Sequence, residues 1–112
     1  MAITNQDQIS FHEATLVSIS SVNGRVSLSL DDVLIRDTRA PASVIIDNVS
    51  VILKNDLPVS SVEMEEEDGE VLSFIQQVSQ ILLVIQWNNF SDKTQNTVAY
   101  KFCGEGVALH VG

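Results

Sequence analysis

Apolar and polar side chains alternate in residues 17–20 and 27–30, on either side of the dipeptide Asn23-Gly24. Asn-Gly suits the positive φ angles of a type I′ turn. A two-residue loop would place Ile19 opposite Leu28 and Val17 opposite Leu30, with serines paired on the other face. Because a one-residue slip would bury those serines, the pattern predicts a β-hairpin in this register.

The middle of the chain is rich in β-branched residues, which favour strands. Asp47-Asn48 interrupts the apolar run of residues 43–53, and either a bulge or a tight turn is compatible with that break. Further on, Asp68-Gly69 predicts a second hairpin, formed by residues 62–67 and 70–76. A short helix over residues 70–80 is the alternative.

Three later segments also have strand character. Residues 81–87 form the most apolar run and predict a central strand that is covered on both faces. Residues 98–103 and 107–111 flank the sequence Gly104-Glu105-Gly106, which predicts a third hairpin.

These elements together predict an all-β fold. We expect an antiparallel meander of about seven to nine strands that forms a β-sandwich or a partly open barrel. The 112 residues suit one β-domain spanning 1–112, with residues 1–10 as a flexible N-terminal segment.

The net charge restricts the classes of molecule that the protein is expected to bind. Six Lys and Arg residues face fifteen Asp and Glu residues, for a formal net charge of −9. General binding to nucleic acid or to an anionic membrane is therefore disfavoured, and a charged partner should be basic.

The sequence favours a cytoplasmic location. Cys103 is the single cysteine and cannot form an internal disulfide. The first residues lack the basic and apolar regions of a signal peptide, and no apolar run approaches the length of a membrane helix.

No catalytic, cofactor or metal site is predicted. His12 and His110 are the two histidines, and no third ligand stands at a recognisable spacing from them, so both are interpreted as sheet residues. Cys103 is interpreted as a buried apolar residue. The glycines fall at proposed turns and form no phosphate-binding loop.

The unusual feature is a run of six carboxylates within residues 63–70, without a basic residue among them. A solvated hairpin tip and a docking surface for a basic partner are both compatible with it. Calcium binding is a third possibility, although the spacing of an EF-hand loop is absent. Phe90 lies in a polar loop and is the aromatic residue expected to be exposed.

Three stretches carry a resemblance: residues 11–19 (FHEATLVSI), 68–74 (DGEVLSF) and 87–90 (WNNF). With them, most of the chain resembles a class of small bacterial β-proteins. A small acidic domain of this kind is also similar to bacterial toxin immunity proteins, including those of contact-dependent growth inhibition systems. The resemblance implies binding and blocking of one cognate toxin domain, commonly a basic nuclease.

The leading hypothesis is therefore a non-enzymatic immunity protein whose acidic surface blocks the active-site cleft of a cationic toxin nuclease. The alternative is a structural or regulatory interaction module that self-associates through its sheet. The predicted partner-binding residues are Glu63, Glu65, Glu66, Glu67, Asp68, Glu70 and Phe90.

Overall fold

The computed structural model describes residues 9–112, which form ten antiparallel β-strands and no helix. The all-β antiparallel class is confirmed. The strands are β1 (Ile9–Ser10), β2 (Thr15–Val22), β3 (Arg25–Ile35), β4 (Thr38–Asp47), β5 (Val51–Lys54), β6 (Leu57–Val59), β7 (Asp68–Gln77), β8 (Gln80–Asn89), β9 (Thr94–Cys103) and β10 (Ala108–Val111). Of the predicted flexible segment 1–10, residues 1–8 lie outside the described residues, and the last two form β1.

Two consecutive meanders make up most of the sheet, whose strand order is β10-β4-β3-β2-β7-β8-β9-β5-β6. The strand pairing that joins them is short, with Thr15 opposite Glu70 and Leu16 opposite Gly69. The molecule measures 19 Å along its shortest axis, which fits two layers packed about 10 Å apart. The sheet therefore folds over on itself as a sandwich.

The hairpin at Asn23-Gly24 is confirmed, with Ile19 opposite Leu28. The predicted partner of Leu30 was wrong, because the register shifts at Val17 and Leu30 faces Leu16 instead. The shift leaves the Val17 side chain 49% exposed. A bulge of this kind bends a strand, and this one follows directly after the short junction with β7.

The predicted hairpin at Asp68-Gly69 was wrong, because both residues lie inside β7. Gly69 pairs with Leu16 on one side and with Trp87 on the other. A Cβ atom on Gly69 would lie 3.0 Å from Cζ3 of Trp87, so glycine makes room for the indole ring. Strand, and not helix, is confirmed for residues 70–77, and the turn that follows is at residues 78–79.

The predicted third hairpin was also wrong. β9 pairs with β8 and β5, whereas β10 pairs with β4 in the other layer. The chain crosses between the layers at Gly104, where a Cβ atom would lie 2.0 Å from the carbonyl oxygen of Asn48. Asn48 has a φ of 64° and belongs to the link between β4 and β5, so the break at Asp47-Asn48 marks the end of β4, where the chain bends towards β5.

The core lies between the two layers and is apolar. Strand β8 contributes Ile81, Leu83, Ile85 and Trp87, all at most 1% exposed, while the residues between them are half-buried. The prediction that β8 is covered on both faces was therefore wrong for its outer face. Within residues 9–112 there is no helix of the length and apolarity that crossing a membrane requires.

Candidate interaction surface

The first acidic residues of the run lie in residues 60–67, the segment between β6 and β7, which runs along the core. We call this segment the acidic strap. Its apolar residues face inward: Val62 is buried and Met64 packs against the core. The N–H of Val62 donates a hydrogen bond to Oγ of Ser21 in β2 (3.1 Å). Glu63 and Glu67 are exposed. The strap is therefore fixed along its inner side and presents two carboxylates to solvent.

Glu65 serves the fold. Its Oε2 atom accepts a hydrogen bond from the hydroxyl of Tyr100 (2.8 Å) and lies 2.6 Å from Nζ of Lys54. The Tyr100 hydroxyl also accepts a hydrogen bond from Nε1 of Trp87 (3.2 Å). Burial raises the pKa of Tyr100 above its ordinary value, and the hydrogen bond to the Glu65 carboxylate acts in the same direction. The chain of contacts ties the strap to β5, β8 and β9.

Two further carboxylates join the strap and the start of β7 to the end of β8. Nδ2 of Asn89 donates a hydrogen bond to Oε2 of Glu66 (3.1 Å), and Nδ2 of Asn88 donates one to Oδ2 of Asp68 (2.6 Å). Phe90 follows directly in the chain. The hydrogen bonds therefore bring Glu66 and Asp68 to the two residues that immediately precede Phe90, although 22 or more sequence positions separate these carboxylates from Phe90.

Phe90 is 67% exposed at the tip of the turn between β8 and β9. It borders a shallow depression of about 510 Å³ lined also by the two asparagines, Lys93, Thr94 and Gln95. An aromatic ring that contacts little of its own protein is free to enter a pocket on another protein. The expected exposure of Phe90 is confirmed.

Glu70 differs from the strap residues in position. It lies on the outer face of β7, between Thr15 of β2 and Gln86 of β8. Thr15 in turn pairs with Asp31 of β3. Because opposite Cβ atoms of neighbouring strands are about 5 Å apart, Asp31 and Glu70 lie about 10 Å from each other across Thr15. Carboxylates thus continue from the strap onto the outer face.

The structure divides the predicted site into groups. Glu66, Glu67, Asp68 and Phe90 lie at one end of the molecule, and Glu63 is exposed on the same strap. Glu65 is engaged inside, and Glu70 lies around the edge. Sequence reasoning missed Asn88 and Asn89, which hold the group together; their position directly before Phe90 is the signal that could have identified them.

Three of the six basic residues form ion pairs with carboxylates, and Lys93 lies beside Phe90. Arg25 lies 2.7 Å from Asp47, and Lys101 lies 3.0 Å from Asp56, while Lys54 pairs with Glu65. The side chains of Glu63 and Glu67 form no ion pair with the described residues. The exposed side of the strap therefore displays two carboxylates that have no cation beside them within residues 9–112.

The histidines do not assemble a site. Nδ1 of His12 donates a hydrogen bond to the carbonyl of Leu72 (2.9 Å), and Nε2 of His110 lies 3.5 Å from Asp47. In residues 9–112 no group of three or more His, Cys, Asp and Glu side chains could hold a metal ion. Cys103 is half-buried, on the outer side of β9, so its predicted place in the core was wrong.

No protein-family model, curated protein or solved structure matches the chain. Any function must therefore be inferred from its own residues. Phe90 is an aromatic residue of the kind enriched at the centre of protein contacts, and the exposed carboxylates of the strap suit the polar rim around such a centre.

Proposed function

We propose that the chain is a non-catalytic immunity protein. It binds a cognate cationic toxin domain, which we take to be a nuclease. Its acidic end blocks the active-site cleft of that domain. The observation that carries the proposal is the placement of Phe90 beside Glu66 and Asp68 through hydrogen bonds from Asn89 and Asn88. The resemblance to bacterial toxin immunity proteins, which act in the cytoplasm of the protected cell, points the same way.

Charge accounts for the choice of partner. A nuclease binds a phosphate backbone through Lys and Arg, so its cleft is basic. An acidic surface is attracted to that cleft, and the attraction raises the association rate at low salt. Glu63 and Glu67 are suited to this role because neither is engaged in an ion pair within the described residues.

The other residues of the acidic end have different roles in the proposed contact. Phe90 supplies an apolar anchor, whose burial on the partner slows dissociation. Glu66 and Asp68 keep the strap beside that anchor while their free lone pairs remain available to a partner cation. Glu65 stays bonded to Tyr100 and Lys54 and does not leave the fold.

The test compares two charge reversals of equal size. Glu67→Lys alters the exposed strap, and Glu105→Lys alters an exposed residue near the other end of β7. Glu67 directly precedes the first residue of β7. Glu105 follows Gly104, whose N–H donates a hydrogen bond to the carbonyl of Ser79, two residues after β7 ends. Each chain is immobilised and mixed with lysate of the source organism at low and at high salt, and any retained protein is assayed for nuclease activity with and without the chain.

We expect wild type and Glu105→Lys to retain one basic protein in stoichiometric amount at low salt and to release it at high salt. Glu67→Lys should retain less of this protein at low salt, because a rim charge acts mainly on encounter and its reversal lowers the association rate about three- to tenfold. Added chain should inhibit the retained nuclease. Equal retention by both variants, or a retained protein without net positive charge, would refute the proposal.

A further inference from the structure

The second half of β7 is paired on one side and open on the other. Residues 73–77 pair with β8. On the opposite side, β2 pairs with residues 69–70, and residues 12–14 hydrogen-bond with residues 71–72. Beyond that point no strand within residues 9–112 lies beside β7 on this side. We call this open side of residues 73–77 the free edge.

The backbone of Phe74 and Gln76 points towards the free edge. Gln77 and Gln80 flank the two-residue turn between β7 and β8, so they exchange hydrogen bonds with each other. Hydrogen-bonded pairs alternate with non-bonded pairs along an antiparallel ladder. The odd-numbered residues of the free edge therefore bond to β8, and the N–H and C=O groups of Phe74 and Gln76 face away from it. No backbone partner for these groups lies in residues 9–112.

The two end strands of the sheet are poor sites for strand pairing, whereas the free edge is not. Strand β6 has three residues and contains Pro58, and β10 has four residues. Short strands, charged side chains and proline all hinder the pairing of one sheet edge with another. Residues 73–77, with the sequence SFIQQ, contain neither a charged residue nor a proline. The free edge is therefore suited to accept a further strand.

A groove of about 280 Å³ lies beside the free edge. Its apolar lining includes Ile9, Phe11, Phe74 and Leu109, and the ring centroids of Phe11 and Phe74 are 4.8 Å apart. Pockets for drug-sized ligands commonly have volumes of about 300–1,000 Å³. This smaller groove suits side chains of an added strand, because every second side chain of that strand would point to the same face as Phe74.

Charge favours a segment that carries basic residues. Apart from His12, the residues that line the groove are uncharged, so apolar side chains suit its interior. At the β2 end of the free edge, the Glu13 side chain is 61% exposed, and Glu70 lies on the outer face of β7. The chain as a whole carries −9. A second copy is therefore repelled, whereas a segment that carries Lys or Arg beside its apolar residues is attracted.

We propose that the free edge of β7 binds an extended segment of another protein, which adds to the sheet as an antiparallel strand. The backbone of the segment pairs with Phe74 and Gln76, its alternate apolar side chains enter the groove, and a flanking basic residue meets Glu13. In this mode of recognition, backbone hydrogen bonds supply affinity and the alternate side chains supply specificity. The site is separate from the acidic strap and Phe90 and does not depend on the proposed toxin contact.

The probe is a capped synthetic heptapeptide, KVTVTVK, which has valine at alternate positions and lysine at both ends. Two N-methylated forms are the matched controls. Methylation of two valines removes N–H groups that face β7 when the valine side chains enter the groove. Methylation of the two threonines removes N–H groups that face solvent in the same arrangement. Binding is measured by NMR, together with hydrogen exchange of each amide.

In the free protein, the amides of Phe74 and Gln76 should exchange rapidly, and those of their odd-numbered neighbours should exchange slowly because they bond to β8. The unmethylated and threonine-methylated peptides should slow exchange at Phe74 and Gln76 at least about tenfold. The valine-methylated peptide should bind at least about tenfold more weakly, because its hydrogen bonds to β7 are lost.

A proline variant tests the same edge from the side of the protein. Gln76→Pro places the proline ring where the N–H faces the free edge, so it should weaken binding of KVTVTVK at least about tenfold without removing a bond to β8. The control is Val111→Pro. Gly112 and Ser43 exchange backbone hydrogen bonds, so the N–H of Val111 also faces away from its neighbouring strand. This control should bind the peptide as wild type does.

Thermal melts establish that both proline variants are folded, and if Gln76→Pro is not, the methylated peptides decide. Equal binding of the two methylated peptides, protection confined to other strands, or no binding at about 1 mM peptide would overturn the proposal. Slow exchange of Phe74 and Gln76 without peptide would also overturn it, because the protein itself or a second copy would then cover the edge. None of these outcomes affects the toxin proposal, which is tested at Glu67.

Discussion

The hydroxyl of Tyr100 donates a hydrogen bond to Oε2 of Glu65 at 2.8 Å, although the two residues are 35 positions apart. The bond joins strand β9 to the acidic strap. Since the same hydroxyl accepts from Nε1 of Trp87 and the same carboxylate pairs with Lys54, one acidic residue of the strap is committed to the fold. The strap carboxylates that lack such partners remain free to contact another protein.

Replacing Tyr100 by Phe should destabilise the protein. The variant removes the hydrogen bond to Glu65 and leaves Nε1 of Trp87 without its acceptor, in a region where both rings are about 1% exposed. Hydrogen bonds to charged groups contribute about 1.5–3 kcal/mol, so the free energy of unfolding should fall by about 2 kcal/mol. Urea denaturation measures it, and an unchanged midpoint would contradict the importance of the bond.

Alkaline pH should weaken the fold through the same residue. The pKa of Tyr100 is raised by burial and by the Glu65 carboxylate. Above pH 10 the unfolded chain loses the tyrosine proton while the folded chain keeps it, so stability present below about pH 10 is lost as pH rises further.

The sequence contains one tyrosine, so the absorbance of the phenolate reports Tyr100 alone. In the folded protein this absorbance should develop well above the pH at which the urea-unfolded chain ionises. Tyr100→Phe provides the control for stability, because lysines titrate in both proteins. The stability difference between wild type and variant should shrink above pH 10; a constant difference would argue against the raised pKa.

Glu65 and Glu67 are both glutamates of the acidic strap, but Glu65 is bonded within the fold and Glu67 is exposed. Removing each charge in turn should therefore have different effects on stability. Glu65→Gln loses the ion pair with Lys54, at a cost of about 1 kcal/mol. Glu67→Gln alters an exposed carboxylate and should leave stability within about 0.5 kcal/mol. Thermal melts of the two variants test this ranking, and equal losses would contradict the assignment of Glu65 to the fold.

The sequence was sufficient where local chemistry decides the structure. Asn23-Gly24 and the flanking alternation fixed one hairpin, but Asp68-Gly69 carried a similar signal and lies inside a strand. There the decisive constraint is the Trp87 ring, which needs a residue without Cβ beside it. Such packing depends on residues distant in sequence, as does the division of the acidic run by Tyr100, so neither could be derived from a local pattern.

Alanine substitutions at Gly104 and Gly106 compare the cost of a steric clash with the cost of an unfavourable φ angle. Alanine at position 104 would place Cβ 2.0 Å from a backbone oxygen of Asn48, so we expect a loss of about 3 kcal/mol or more. Alanine at position 106 meets no atom within 4 Å and suffers only from the φ of 74°, which costs about 1–2 kcal/mol. The matched pair is compared by chemical denaturation, and similar losses would mean that the crossing at Gly104 is less tight than described.

The last prediction separates the anchor from the charges in the proposed toxin contact. Phe90→Ser should change stability by less than about 0.5 kcal/mol, because the ring is 67% exposed. Against the captured basic partner, the variant should raise the dissociation rate at least about tenfold while leaving the association rate nearly unchanged, as is typical of a buried aromatic anchor. Glu67→Lys should show the opposite division, because steering by an exposed charge acts before the surfaces meet. Surface plasmon resonance measures both rates, and a Phe90→Ser variant with wild-type dissociation would place the apolar contact elsewhere.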